Sequence, residues 1–209
     1  MTDGSREGVV LCGGYSTRFG DGDKALADLA GTPLVRRVAD RLATVCDRLV
    51  LNCRDEQAEA LRAAVDGCGV PVSVATDPVP DRGPAAGIAA GLAAVDATHA
   101  AVVACDMPFV DPAFVAYLFS RADGRDAAVP RPDEWYQTTQ AVYRADAMVS
   151  ACERTLNQGE SRVVDALDQL DDWVTVTEEE VRAHATPETF ENLNTRAELR
   201  AAARRFESS

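Results

Sequence analysis

The chain has 209 residues, of which 46% are hydrophobic, and this composition predicts one compact domain over residues 1–209. Its formal net charge of −13 excludes general adhesion to nucleic acid or to an anionic membrane, because an acidic surface repels phosphate groups. Aspartate dominates the acidic residues and Lys24 is the single lysine, which is typical of proteins from a high-salt cytoplasm. A codon bias towards arginine is the alternative explanation.

The cysteines and histidines argue against a structural zinc site. Six cysteines form no Cys-x-x-Cys pair, and the histidines are His99 and His184 alone. We therefore expect small buried thiols in a reducing compartment. No signal-like segment precedes Gly8 and no apolar run approaches ~20 residues, so a cytoplasmic protein without a membrane segment is expected.

In chain order, short apolar runs alternate with helical stretches, as in β-α-β units on a largely parallel sheet. The first four predicted strands cover residues 9–11, 48–52, 70–75 and 100–104, and the helices between them cover residues 33–45, 57–65 and 84–94. Beyond residue 110 we predict helices at 112–119, 145–156, 161–170 and 196–206, with strands at 126–130, 138–143 and 173–177.

The first predicted strand leads into the sequence LCGGYSTRFGDGDK, which begins at Leu11 and ends at Lys24. It matches neither the dinucleotide fingerprint nor the Walker A loop. Gly13 and Gly14 allow a nucleotide to approach the backbone closely, Arg18 offers a planar fork and Lys24 a compact charge. The pattern indicates a phosphate site, with a flexible connection carrying surface charges as the alternative.

Polar residues follow the other strands at the same predicted sheet edge, where ligands bind in open α/β sheets. Asp106 comes directly after a buried strand, where a carboxylate is costly unless it is paired or binds a cation, so we predict a Mg²⁺ ligand. Helix capping is the alternative role, but Asp111 is better placed for it. Asn52 and Asp77 are expected to contact a base or ribose, and local turn capping is equally compatible with them.

Two further segments complete the candidate set. Gly83 precedes a helix whose start would face a nucleotide, although simple helix initiation explains the same residues. Gln140, Asn192 and Asn194 are neutral hydrogen-bonding residues that we expect to recognise a polar heterocycle. No Ser-His-Asp or Cys-His arrangement is supported.

The assembled motifs resemble those of the molybdenum cofactor guanylyltransferases of the MobA type. The blocks that carry the resemblance run in order through nearly the whole chain: LCGGYSTRFGDGDKAL, GTPLV, LVLNCR, TDPVPDRGPAAGI, ACDMPFV, QAVYR, LNQGESR and NLNTRAEL. The resemblance implies a three-layer α/β/α, Rossmann-like nucleotidyltransferase fold with a mostly parallel sheet. Cys12 stands where the family usually has Ala, and Thr139-Gln140 replaces a common Pro-Leu step.

The implied reaction is transfer of GMP from Mg-GTP to molybdopterin, or to its molybdenum-loaded form, with release of pyrophosphate. Carried over by position, Lys24 would bind phosphate and Asp106 would hold Mg²⁺; with Arg18, which the glycine loop itself indicates, they form the predicted catalytic set. The nucleotide would be bound by Leu11, Cys12, Gly13, Gly14, Lys24, Asn52, Asp77, Gly83 and Asp106, and the pterin by Gln140, Asn192 and Asn194. Transient contact with the enzymes that make molybdopterin or receive the finished cofactor is the implied protein partnership.

Two other functions stay open on the sequence. One is a different small-molecule nucleotidyltransferase, such as a cobinamide-phosphate guanylyltransferase or a molybdopterin cytidylyltransferase. The other is a non-catalytic nucleotide-binding adaptor, against which Lys24 and Asp106 argue, because a pure binder does not need a metal carboxylate.

Overall fold

The computed structural model describes residues 4–14, 19, 22–77 and 82–207, with the side chain of residue 207 left out. Its centre is a seven-stranded sheet in the order β5-β4-β1-β6-β8-β7-β9. The strands are β1 Glu7–Leu11, β4 Arg48–Cys53, β5 Val72–Thr76, β6 His99–Ala104, β7 Ala127–Pro130, β8 Gln140–Arg144 and β9 Trp173–Val176. Only β8 runs against its neighbours, so the sheet is mostly parallel, as predicted.

Helices cover both faces of this sheet and make a three-layer α/β/α architecture. They are α1 Leu34–Leu42, α2 Ala58–Ala64, α3 Pro84–Leu92, α4 Pro112–Ala122, α5 Ala145–Asn157, α6 Val163–Leu167, α7 Glu178–His184 and α8 Arg196–Glu207. One apolar core packs the sheet against α1, α2, α4 and α7, and the other packs it against α3, α5 and α6. The strands are apolar on both faces because both faces are buried.

Several local predictions need correction. The predicted helix over residues 161–170 shortens to Val163–Leu167, and the predicted strand over 70–75 shifts to Val72–Thr76, after Pro71. A two-stranded hairpin, β2 Asp28–Leu29 with β3 Thr32–Pro33, was not predicted, and neither was α7. A capping box opens α7, in which Thr177 and Glu180 satisfy each other's backbone N–H groups. That Thr-x-x-Glu spacing is the signal that would have revealed the helix.

The hairpin and α8 share a third, smaller core formed by Leu29, Leu34, Leu193 and Ala202. This core holds the C-terminal helix against the segment that follows the glycine loop. Three 3₁₀ turns, Lys24–Leu26, Asp55–Gln57 and Pro187–Phe190, connect the larger elements near the same sheet edge. Among the described residues, no helix is long and apolar enough to cross a membrane.

Candidate active site

The carboxyl ends of β1, β4, β5 and β6 meet around a cleft of about 580 Å³. Its walls include nine predicted nucleotide-site residues, Leu11, Cys12, Gly13, Gly14, Lys24, Asn52, Asp77, Gly83 and Asp106. Asn194 lines it as well, from the segment before α8. Arg18, the other predicted catalytic residue, lies outside the described residues.

The floor of the cleft holds an ion pair between Lys24 and Asp106, 82 positions apart in the chain. Lys24 Nζ donates to Asp106 Oδ2 at 2.5 Å and to Asn194 Oδ1 at 2.9 Å. The two charged side chains are 11% and 17% exposed, so they are only weakly screened by water. An ammonium group has three donors, and these contacts use two of them. Within the described residues the third has no further acceptor, which suits an anion in the cleft.

Asp106 has an oxygen without a partner. Its Oδ1 is buried and accepts no hydrogen bond in the described part of the chain. A buried carboxylate oxygen left unpaired costs free energy unless a cation or donor reaches it. Carboxylate oxygen is also the ligand type that Mg²⁺ prefers. The donor chemistry therefore fits a hard divalent cation, although no group of three or more His, Cys, Asp or Glu residues in the described ranges could hold a metal by itself.

The opposite wall of the cleft is built from Asn52 and Asp77. Asn52 Nδ2 donates to Asp77 Oδ1 at 2.7 Å, and Asn52 is almost fully buried. A Cβ at Gly13 would lie 2.6 Å from Asp77 Oδ2, and one at Gly87 would lie 2.8 Å from Asn52 Oδ1. A side chain at either position would therefore have to displace the Asn52–Asp77 pair.

Two side chains that brace the glycine loop were missed by the sequence analysis. Gln57 is buried, donates from Nε2 to the Cys12 carbonyl at 3.3 Å and also contacts Asp23. Arg54 Nη1 lies 3.4 Å from the carbonyls of both Gly13 and Gly14. No periodicity marks either residue, because each acts on a loop more than 30 positions away. The loop is thus held from the end of β4.

Two thiols near the cleft, those of Cys12 and Cys53, stay protonated at neutral pH because their pKa values are raised. A hydrogen bond with Cys105, together with burial, raises the pKa of Cys12 well above its usual value. Burial and the nearby Asp77 raise the pKa of Cys53 to about 11. Thiolates are the nucleophilic form of cysteine, so these groups are not suited to covalent catalysis.

Two of the three predicted pterin residues do not reach the cleft. Gln140 is fully buried and donates from Nε2 to Thr189 Oγ1 at 2.7 Å. Its side chain lies on the same face of β8 as Val142, which belongs to the core beneath α4. Asn192 Nδ2 donates to the carbonyl of Phe190 at 3.1 Å. Both side chains instead form hydrogen bonds with the segment that precedes Asn194.

The C-terminal segment contacts the floor of the cleft at two further points. The Leu193 N–H donates to the Asp106 carbonyl at 2.9 Å, and Arg196 Nε donates to the Phe19 carbonyl at 2.9 Å. Asp111 caps α4, accepting from the Ala113 N–H, as the sequence indicated. Asp106 is therefore not the residue that caps the start of α4.

A doubly covered, mostly parallel sheet with a glycine loop, a buried lysine and a carboxylate at its carboxyl edge defines the class of nucleotidyltransferases with a Rossmann-like core. The family model described as MobA-like NTP transferase domain matches residues 8–187. The chain belongs to this family, which transfers nucleotidyl groups.

Named relatives agree with this assignment. A probable molybdenum cofactor guanylyltransferase from Natronomonas pharaonis is 48% identical, over 97% of this chain and 99% of the relative. Another from Haloferax mediterranei is 38% identical, over 95% and 93%. The crystal structure of molybdopterin-guanine dinucleotide biosynthesis protein A from Archaeoglobus fulgidus superposes with a TM-score of 0.81 at 28% identity, covering 97% of this chain and 100% of that one.

Proposed function

We propose that this protein transfers GMP from GTP to the terminal phosphate of molybdopterin, or of its molybdenum-loaded form, and releases pyrophosphate. The observation that carries the proposal is the buried Lys24–Asp106 pair at the floor of a cleft, in a chain whose relatives bear the name of this activity. An acceptor phosphate oxygen attacks the α-phosphorus of GTP. The bond from the α-phosphorus to the oxygen bridging to the β-phosphate breaks, and pyrophosphate leaves.

We place the nucleoside against Asn52 and Asp77 and the phosphates over Gly13, Gly14 and Lys24. Backbone N–H groups at the two glycines suit phosphate oxygens, and the spare donor of Lys24 suits the charge that accumulates on the transferred group and on pyrophosphate. Arg18 would add a second cation. Catalysis then rests on positioning and charge stabilisation without a protein nucleophile.

Mg²⁺ is the proposed cofactor, held by Asp106 together with oxygens of the nucleotide. It would neutralise charge on the phosphates of GTP. The unpartnered Oδ1 of Asp106 supports the assignment. The contacts of Asp106 Oδ2 with Lys24 keep the carboxylate oriented towards the cleft.

The acceptor is proposed to enter from the side of the sheet formed by β8, β7 and β9, opposite Asn52 and Asp77. Asn194 is the predicted pterin residue that lines the cleft and so is retained in this role. Gln140 and Asn192 are assigned an indirect part, since their side chains bond to Thr189 and to the Phe190 carbonyl.

We place the reaction in the cytoplasm. All six cysteines are unpaired and buried, as suits a reducing compartment. We further propose that transient contact with the enzymes that supply molybdopterin or take up the product brings the acceptor to the cleft, without nucleic acid or a membrane.

The proposed binding of GTP and Mg²⁺ can be tested separately from GMP transfer by comparing nucleotides. The melting temperature is measured with GTP, CTP, ATP or UTP, each with and without Mg²⁺, for the wild type and for Asp106→Asn. GTP should give the largest increase, and Mg²⁺ should add to it only while Asp106 is present. A larger shift with CTP would favour a cytidylyltransferase, and a Mg²⁺ increment that survives in Asp106→Asn would contradict the metal assignment.

A further inference from the structure

The residues before α8 hold both members of the catalytic ion pair. Asn194 Oδ1 accepts from Lys24 Nζ at 2.9 Å, while the N–H of Leu193 donates to the carbonyl of Asp106 at 2.9 Å. Lys24 lies next to the glycine loop and Asp106 follows β6, so this short segment is the element that joins them. The position of this segment must therefore be fixed if Lys24 and Asp106 are to stay in contact.

Glu198 fixes that segment. Its Oε2 accepts from the N–H of Asn194 at 2.7 Å and from the N–H of Thr195 at 2.8 Å. In return the N–H of Glu198 donates to Thr195 Oγ1 at 3.2 Å, which completes a capping box at the start of α8. The hydrogen bond from the Asn194 N–H is the largest influence that lowers the pKa of Glu198, and Lys24 contributes to the same direction. Glu198 is therefore an ionised acceptor at neutral pH.

The chain contains a second box with which to compare it. At α7 the N–H of Thr177 donates to Glu180 Oε2 at 2.8 Å and the N–H of Glu180 donates to Thr177 Oγ1 at 3.4 Å. That pair caps its helix without touching the cleft. Glu198 makes the same two contacts and a third, to the N–H of Asn194, one residue before the cap. This third contact holds the backbone of Asn194, whose side chain accepts a hydrogen bond from Lys24.

We propose that Glu198 is a positioning residue for nucleotidyl transfer. It acts through Asn194, keeping the amide oxygen of that residue on the ammonium group of Lys24. Lys24 is thereby held beside Asp106, with its remaining donor directed at the phosphates. This inference rests on the proposed function and adds a residue that contacts neither nucleotide nor acceptor.

Matched alanine and glutamine variants separate positioning from capping. Glu198→Ala removes the acceptor and should lower kcat about tenfold, since small displacements of a catalytic group are costly, while the KM for GTP changes less than threefold. Glu180→Ala should lower the melting temperature at least as much, because Glu180 also bonds Tyr117 and Arg121, yet keep kcat within twofold. Glu198→Gln retains an oxygen acceptor and should recover most of kcat.

A double-variant cycle tests whether the effect passes through Asn194. Asn194→Ala should lower kcat by itself, and adding Glu198→Ala to it should change kcat less than twofold further. Multiplied losses in the double variant would overturn the proposal. So would a Glu198→Ala enzyme that is less stable, as Glu180→Ala is, but has unchanged kcat.

Lys24 offers a readout that does not depend on activity. As the single lysine of the chain, it gives one side-chain signal after labelling with ¹³C,¹⁵N-lysine. That signal should move towards the position of free lysine in Glu198→Ala and stay in place in Glu180→Ala; an unmoved signal in both would overturn the inference. If the signal moves in Glu198→Ala as expected but the wild type transfers no GMP, the proposed function fails while the placement of Lys24 by Glu198 stands.

Discussion

At the scale of single residues, the cleft depends on one ammonium group in a chain that otherwise uses arginine. Lys24 Nζ fits between Asp106 Oδ2 and Asn194 Oδ1, and the side chains of Lys24 and Asp106 are little exposed. A guanidinium is larger, planar and rigid, so it cannot place its charge at the point that Lys24 Nζ occupies between these two oxygens. The presence of one lysine in a chain that otherwise uses arginine thus has a structural reason.

We expect Lys24→Arg to lower kcat/KM about 100-fold although the charge is kept, because positioned charge is worth several kcal/mol in such a site. Pyrophosphate release measures the loss. Arg62→Lys, the reverse exchange on an exposed face of α2, should have no effect. Full activity of Lys24→Arg would remove the explanation offered for the lone lysine.

Gly13 is a second residue-scale constraint. In Gly13→Ala the new Cβ would lie 2.6 Å from Asp77 Oδ2, so the Asn52–Asp77 wall has to shift. We expect GTP binding to weaken at least tenfold and stability to fall by about 1–3 kcal/mol, the usual cost of overpacking. Chemical denaturation and GTP titration measure the two effects. Gly14→Ala, whose Cβ would meet no atom of the described residues within 4 Å, should leave stability unchanged, and an equal loss in both variants would refute the steric argument.

At the scale of elements, the parallel strands bring distant residues to one edge, and the loop from β7 to β8 extends that edge. Trp135 on this loop is 69% exposed, and Thr139 at its end lines the cleft. The loop is held in shape by the Gln137 N–H on the Pro130 carbonyl and by the Trp135 N–H on Asp133 Oδ1. An exposed indole on the loop that ends at Thr139 suits stacking on a fused heterocycle.

Trp135→Ala should raise the KM for molybdopterin about tenfold, as loss of one stacking contact predicts, and leave the KM for GTP unchanged. Steady-state kinetics with each substrate varied in turn separates the two constants. Val164→Ala removes another exposed apolar side chain, on α6, and should alter neither constant. Equal changes in both constants for Trp135→Ala would argue against an acceptor role.

The elements also show how far the sequence predicts the structure. Alternating apolar runs and helical stretches predicted the seven strands of the central sheet and the polar residues at their ends, because these follow from local periodicity and topology. The direction of the Gln140 side chain depends on the register of β8 against β6, which no local pattern reveals. The sequence therefore could not show that this side chain points away from the cleft. The contacts of Lys24 with Asp106 and Asn194 join residues 82 and 170 positions apart, and only the packed fold brings them together.

At the scale of the whole molecule, buried thiols link stability to pH. Burial raises the pKa of Cys46 and of Cys152 to about 12, and that of Cys53 to about 11. An unfolded thiol ionises near pH 8.5, so above that value the unfolded chain binds fewer protons than the folded chain. Stability from these groups is therefore complete below about pH 8.5 and is lost as pH rises towards 12.

We expect the free energy of unfolding to fall in that window by up to roughly 1.4 kcal/mol per thiol for each pH unit. Denaturant titrations at successive pH values measure the slope. Cys46→Ala should be less stable at pH 7, through its cavity, but should show a shallower alkaline decline. An identical slope in the variant would show that the Cys46 thiol does not titrate as inferred.

The net charge of −13 and the single lysine indicate that the whole molecule should be assayed at high salt. The most direct test of the central claim is pyrophosphate release by the purified protein with GTP, Mg²⁺ and molybdopterin in molar KCl. We expect release that requires all three components, forms a guanylylated pterin and is abolished in Asp106→Ala. Release that is absent with molybdopterin, or unaffected by that substitution, would contradict it.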